Sequence, residues 1–200
     1  MYKVKYLPDE AARWDNAGLV RIGCDPWGRS VYTPEAAVRV CYGNDAFYVR
    51  FDITEDHILA VNTQPNGPVH EDSCVEWFIN PCPDISDKYV NFEINAIGTM
   101  HAALGAGRHE RKLLDAAMHG MVDIKPYIDS PYWRMEYTVP FEFFHRLYGA
   151  IDFTNGYKMK GNFYKCSNNN RKPHWLCWNK IGSPQPDFHR PEWFGDIILQ

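Results

Sequence analysis

The sequence predicts an all-β fold, an immunoglobulin-like or jelly-roll β-sandwich with one short helix, on three observations. About ten short segments alternate apolar and polar residues at period two, as half-buried strands do. Aromatic residues make up 15% of the 200-residue chain and stand beside 14 prolines and 14 glycines, a composition of strands and loops rather than of a helical bundle. Only residues 141–148 read as a helix with signals at both ends, Pro140 ahead of it and Gly149 behind.

The elements follow in order. Residues 2–7 form a first strand with Tyr2, Val4 and Tyr6 on one side. Residues 8–36 are irregular, rich in Pro, Asp and Gly, and carry Trp14 and Trp27. Residues 37–42 and 47–53 make a hairpin around Gly43-Asn44-Asp45, with Phe47, Val49, Phe51 and Ile53 facing inward. Residues 99–104 continue the sheet after a turn at Gly98, and residues 111–114 are either a helical turn or a strand start. Residues 118–125 and 132–139 are expected as a further antiparallel pair, with Trp133, Met135, Tyr137 and Val139 inward. Residues 158–166, 175–178 and 195–199 supply the late strands, a proline-studded loop 183–192 leads to the last of them, and the stretch 186–195 reads as a lid or an edge cover. No internal repeat or linker divides the chain, so it is expected to be one domain.

The middle of the chain carries the most information. Residues 69–96 read as two alternating halves, 69–81 and 88–96; Val75, Trp77 and Ile79 share one face of the first, and Val90, Phe92, Ile94 and Ala96 share one face of the second. Pairing the two so that their apolar faces coincide puts Val75 by Ile94, Trp77 by Phe92 and Ile79 by Val90. The same register forces Glu76 opposite Glu93 and Phe78 opposite Asn91. Like charges directly opposite each other destabilise a sheet; a bound cation, a nearby Arg or Lys, a shared proton or a polar ligand could relieve this pair, and the alternative is two solvated carboxylates on a surface sheet.

The bulk composition excludes some roles. Twenty-one basic against 25 acidic residues give a net charge of −4 with no basic block, so nucleic acid is not the expected partner. No 18-residue apolar run occurs and residues 1–7 lack a signal-peptide pattern, so no membrane segment is expected, and the expected location is cytoplasmic unless a signal has been removed. The six cysteines form no CxxC and are expected as free buried thiols, and the eight histidines form no HExxH, so no transition-metal site is expected.

Chemistry concentrates in two places. Glu76 and Glu93 could act as a glycosidase pair, which needs carboxylates about 5–10 Å apart, or could accept hydroxyl hydrogen bonds from a sugar. The run from Asn162 through Lys165 and Asn168 to Trp175 and Trp178 is dense in hydrogen-bonding groups beside aromatics. Trp175 and Trp178 stand three apart, hence on opposite faces of a strand, so at most one is core and the other can stack on a sugar ring. His70, Glu71 and Asp72 offer oxygens for calcium, though fewer than the six or more a hard cation takes.

The blocks H-E-D-S-C-V-E-W-F-I-N-P, Y-V-N-F-E-I-N, N-F-Y-K, H-W-L-C-W-N and F-H-R-P-E-W-F-G-D-I-I-L resemble the family 9 carbohydrate-binding modules, and more closely the single-domain family-9-like proteins of bacteria. The resemblance spans the chain from about residue 25 to its end and implies a β-sandwich. In that family a mono- or disaccharide end lies between two tryptophans, with polar residues around its hydroxyls and structural calcium elsewhere. Carried over residue by residue, the family's strand glutamate falls on Glu76 and its later tryptophan on Trp178. Its earlier tryptophan falls on His70, and one of its arginines falls on Glu93, so two of four positions depart from the pattern. His70 can still stack as a smaller ring, and Arg108, Lys165 or Arg171 can supply the missing cation.

The expectation is therefore non-catalytic binding of a mono- or oligosaccharide, with no cofactor beyond an optional calcium ion. The site would comprise Glu76, Trp178, Glu93, His70, Asn162, Lys165, Arg108 and Trp175. Two alternatives stand beside it. One is a glycoside-active enzyme using Glu76 and Glu93; the other is a haem-binding electron-transfer domain using Met and His ligands.

Overall fold

The computed structural model describes residues 1–11 and 13–200. In chain order the elements are β1 (Tyr2–Tyr6), α1 (Arg13–Asn16), β2 (Leu19–Arg21), β3 (Glu35–Tyr42), β4 (Ala46–Thr54), β5 (Cys74–Asn80), β6 (Tyr89–Asn95), β7 (Met100–Gly105), β8 (Lys112–Leu113), α2 (Ala116–His119), β9 (Asp123–Asp129), β10 (Tyr132–Pro140), α3 (Phe141–Tyr148), β11 (Lys158–Ser167), β12 (His174–Cys177) and β13 (Gly195–Leu199). They build a β-sandwich of two layers. One layer runs β8-β7-β6-β5-β11-β13-β1, and the other runs β1-β3-β4-β10-β9, with β12 on β11 and β2 on β3.

Strand β1 belongs to both layers. Tyr2 to Val4 pair in parallel with β13, and Lys5 and Tyr6 pair in parallel with β3. This change of sheet explains why Tyr2 and Val4 are buried while Tyr6, expected on the same side, is 46% exposed.

The inner faces pack as the alternation requires. Phe47, Val49, Phe51 and Ile53 of β4 and Trp133, Met135, Tyr137 and Val139 of β10 meet Val75, Trp77, Val90, Phe92 and Phe163 of the other layer, all essentially buried. Trp77 stacks between Phe92 and Phe163 at 5.9 and 6.2 Å. Helix α3 covers one end of this core with Phe143 and Phe144, and Gly149 closes it at φ 84°, a conformation open to glycine.

The β5–β6 register is Val75–Ile94, Trp77–Phe92, Ile79–Val90, Glu76–Glu93 and Phe78–Asn91. It follows from a single constraint, the burial of both apolar faces in one core. Two expectations need correction. Residues 118–125 are not one strand: Asp115 caps α2 by accepting from the Met118 amide, Gly120 ends it, and the strand begins only at Asp123. Segment 186–195 covers a sheet face and not an edge. The outer face of β5, β6 and β11 is itself apolar at Phe78, Tyr89 and Tyr164, and it is roofed by Ile181, Phe188 and Phe194 in a second core.

Candidate functional site

Two layers of contact fix the roof. Tyr164 stacks on Phe188 at 4.1 Å and donates its hydroxyl to the Phe188 carbonyl at 3.1 Å. His189 stacks on Phe78 at 4.8 Å, with Nδ1 2.9 Å from the Tyr89 hydroxyl. Burial and the nearby Arg111 and Arg108 push the His189 pKa down to about 2, so the ring is neutral. The roof stops short of the polar rows, and a cavity of about 330 Å³ remains over the outer sheet face.

Its floor follows from the register. Glu93 on β6 stands between His101 of β7 and Glu76 of β5, and Cys166 of β11 stands between Cys74 of β5 and Trp175 of β12. Glu76, Glu93, Cys166, His101 and Trp175 all line the cavity. Its walls come from segments distant in sequence: Trp27, His70, Arg108, Arg111, Asn168 and the roof residues 186–189.

The two carboxylates are 3% and 5% exposed, so they are not solvated surface groups. Glu93 has a cation and a donor: Arg111 Nη1 lies 3.6 Å from its Oε1, and the Asn91 amide donates to the same oxygen at 2.9 Å. The Asn91 side-chain oxygen Oδ1 in turn accepts from Arg111 Nη1 at 3.1 Å. Glu76 receives only the Cys166 thiol, at 3.0 Å, among the described residues. Burial, then Cys166 and Glu93, drive the Glu76 pKa well above the carboxylate range, against a weaker pull from Arg111. The strain of two opposed acids is thus relieved by a cation on one side and a retained proton on the other.

Both cavity tryptophans are held by their own polar edges. The Trp175 indole N–H donates to Asn168 Oδ1 at 2.7 Å, and the Trp27 indole N–H donates to the Ser183 carbonyl at 2.9 Å. Trp27 also rests on Phe188 at 5.6 Å. An Asp25 turn presents Trp27: its carboxylate accepts from the backbone N–H groups of Trp27, Gly28 and Ser30. Desolvation works against that carboxylate, but hydrogen bonds from the Ser30 amide and hydroxyl and from the Trp27 and Arg29 amides outweigh it and lower its pKa.

Of the eight residues the sequence singled out, Glu76, Glu93, His70, Arg108 and Trp175 come together around this cavity. Trp178, Asn162 and Lys165 do not line it. Trp178 packs on Tyr2 and Phe163 at 6.0 and 5.6 Å, on the side of the inner core, as the opposite-face rule demands of one of the two tryptophans. Asn162 is fully buried and spends its side chain on the backbone of Phe163 and Asn179. Lys165 pairs with Val75 in register, faces between the layers, and bridges to Glu55 at 3.2 Å. Arg108 pairs with Asp187 at 2.8 Å, and Arg111 is the cation beside Glu93. Trp27, Arg111, His101 and Cys166 were not singled out; only the turn-forming D-P-W-G around Trp27 gave a local signal.

The residues expected for calcium do not fit it. Asp72 accepts four N–H hydrogen bonds, from the Val61 and Asn62 amides and the Asn62 and Asn95 side chains, at 2.8–3.1 Å. Glu71 accepts from Asn169 at 2.8 Å. The haem alternative needs methionine beside histidine, yet no methionine lines the cavity that His70, His101 and His189 share. Met100, Met118, Met135 and Met159 belong to the inner core.

The comparisons with known proteins agree on the scaffold. A structure from Bacteroides uniformis ATCC 8492, of a protein to which carbohydrate binding has been ascribed, superposes with a TM-score of 0.89 at 27% identity, covering 99% of this chain and 98% of that one. Two structures of a family 9 carbohydrate-binding module from Caldicellulosiruptor kristjanssonii, one in complex with cellotriose and one with glucose, share the fold at 14% identity. Their TM-scores are 0.69 and 0.67, with 100% and 99% of this chain and 93% and 94% of those chains covered. No curated protein matches the sequence. The family model for carbohydrate-binding family 9 matches residues 8–199, and on that span the chain belongs to carbohydrate-binding family 9.

Proposed function

We propose that the cavity over β5, β6 and β11 binds a mono- or oligosaccharide without catalysis. The observation that carries this reading is the pairing of two polar-anchored tryptophans, Trp27 and Trp175, with a floor of carboxylates in one cavity of about 330 Å³. A pyranose presents apolar C–H faces and a rim of hydroxyls. Indole faces suit the first, and Glu93, Glu76, Asn168 and Arg108 suit the second. Glu93 accepts a hydroxyl proton; Glu76, while protonated, can also donate. The complexes of the Caldicellulosiruptor module with glucose and cellotriose favour the same ligand class.

Each net hydrogen bond contributes about 1 kcal/mol and stacking a similar amount, which places the dissociation constant in the micromolar to millimolar range. Calorimetric titration with glucose, cellobiose, cellotriose and a panel of other sugars tests this. Wild type should bind at least one of them, and Trp175→Ala and Trp27→Ala should each weaken binding about tenfold or more. No binding to any sugar, or unaltered binding in both variants, would sink the reading.

The opposed carboxylates support a second reading. Directly facing strand residues have Cβ atoms about 5 Å apart, compatible with a retaining glycosidase pair, and Glu76 carries the raised pKa of a general acid. Hydrolysis of aryl glycosides that disappears in Glu76→Gln would favour it over simple binding.

A further inference from the structure

The cavity floor holds two thiols that saccharide binding does not use, beside Glu76, which the proposed saccharide site shares. Cys74 and Cys166 are Cα partners across β5 and β11, so both thiols project from the outer sheet face. Glu76 follows Cys74 by two residues and projects from the same face. As a result Cys74 Sγ, Cys166 Sγ and one Glu76 carboxylate oxygen lie within 4.8 Å of one another. The Cys166 Sγ to Glu76 Oε1 distance is 3.0 Å, and the three residues are 0%, 2% and 3% exposed.

We propose that Cys74, Cys166 and Glu76 form a binding site for a thiophilic divalent cation of the zinc class, set into the base of the cavity. Two sulfur donors select zinc over calcium or magnesium, whose ligands are oxygens. Tetrahedral zinc with bonds of about 2.3 Å to sulfur needs sulfur donors about 3.8 Å apart; no separation among the three donors exceeds 4.8 Å and the Cys166–Glu76 pair stands at 3.0 Å, so small side-chain adjustments admit the ion. Cys166 and Glu76 line the cavity, which gives the ion a path in. A fourth ligand comes from that side: His70, whose carbonyl oxygen is 3.7 Å from Cys166 Sγ, lines the same cavity, and water is the alternative. The spacing rules of short metal motifs miss such a site, because its two thiols are 92 residues apart and meet only through strand register.

A thiol must lose its proton to become a zinc ligand, so uptake of the ion at Cys74 and Cys166 releases protons to solvent and binding tightens as pH rises.

The test is titration of the metal-stripped, thiol-reduced protein with Zn²⁺ against a chromophoric chelator, and separately with Co²⁺, in the absence of sugar. The expected result is one Zn²⁺ per chain with proton release, and a thiolate-to-cobalt charge-transfer band of two-thiolate intensity. Cys166→Ser and Glu76→Gln should each weaken Zn²⁺ binding at least tenfold, with circular dichroism confirming the fold. If Cys166→Ser fails to fold, protection of Cys74 and Cys166 from alkylation by Zn²⁺ in wild type decides the matter. The proposal is overturned by no Zn²⁺ uptake in reduced wild type, by uptake that Cys166→Ser leaves unchanged, or by Zn²⁺ failing to protect the two thiols. Sugar titration is read separately, so either result stands without the other.

Discussion

Glu76 and Glu93 are Cα partners across β5 and β6, yet one carboxylate is paired with Arg111 while the other keeps its proton. The asymmetry comes from the loop between β7 and β8. It delivers Arg111 to the β6 side of the floor, 3.6 Å from Glu93, and leaves Glu76 among β5 and β11 with two thiols.

The retained proton makes stability depend on pH. Glu76 has a folded pKa above its unfolded value, so the native state holds a proton that the unfolded chain releases once pH exceeds about 4.3. Its contribution is therefore present at acid pH and declines as pH rises through the window up to the raised value. In metal-free protein Glu76→Gln should flatten that decline, so that its Tm relative to wild type is higher at pH 8 than at pH 5. Thermal melts of both proteins from pH 5 to pH 8 check it; parallel curves would remove the buried proton.

Trp175 and Trp178 should separate binding from stability. Trp178 lies against Tyr2 and Phe163, and its ring fills the space a Cβ at Gly195 would need, 2.8 Å away. Trp178→Ala should lower stability by about 2–3 kcal/mol, less than a fully buried tryptophan, and change sugar affinity by no more than about twofold. Trp175→Ala should do the reverse. Urea unfolding and calorimetry on the two variants provide the comparison.

What the sequence disclosed and what it withheld follow one physical line. The β5–β6 register was legible because seven alternating apolar residues can be buried together in only one way. The helix Phe141–Tyr148 was legible because Pro140 and Gly149 bound it. Trp27 was not legible as a cavity wall, because its place depends on an Asp25 turn and on Ser183, 156 residues away. Nor did the sequence tell Trp175 from Trp178, since only the pairing of Trp175 with Cys166 decides which face each one takes. Lys165 misled for the same reason: a lysine beside asparagines reads as exposed, whereas the register of β11 turns it inward.

Asp72 should act as a hydrogen-bond anchor and not as a metal ligand. Its four N–H donors tie segment 61–62 to Asn95 at the end of β6. Asp72→Ala leaves those donors without a partner and should cost about 3 kcal/mol or more. Adding Ca²⁺ should leave the Tm of wild type unchanged. A calcium-dependent rise in Tm that Asp72→Ala abolishes would restore a calcium role.

Lys165 leads to the last prediction. Its ammonium is fully buried and reaches Glu55 Oε2 at 3.2 Å, His174 Nε2 at 2.9 Å and the Cys166 carbonyl at 3.0 Å. Glu55 also accepts from the Trp133 indole at 2.6 Å. Replacing lysine alone leaves a buried carboxylate without its cation, so Lys165→Met should cost about 3–5 kcal/mol at pH 8, and Lys165→Met with Glu55→Gln should cost less. Histidine then shifts the balance at lower pH. Burial, then the Lys165 charge, depress the His174 pKa to about 3, so wild type loses stability as pH falls below about 6.5, where the unfolded chain takes a proton the folded one refuses. Lys165→Met removes that charge and leaves His174 Nε2 3.8 Å from Glu55 Oε2, free to protonate and replace the missing cation. The gap between variant and wild type should therefore narrow from pH 8 to pH 5. Denaturant unfolding at the two pH values measures it, and a gap that stays constant or widens would show that His174 does not take over the charge.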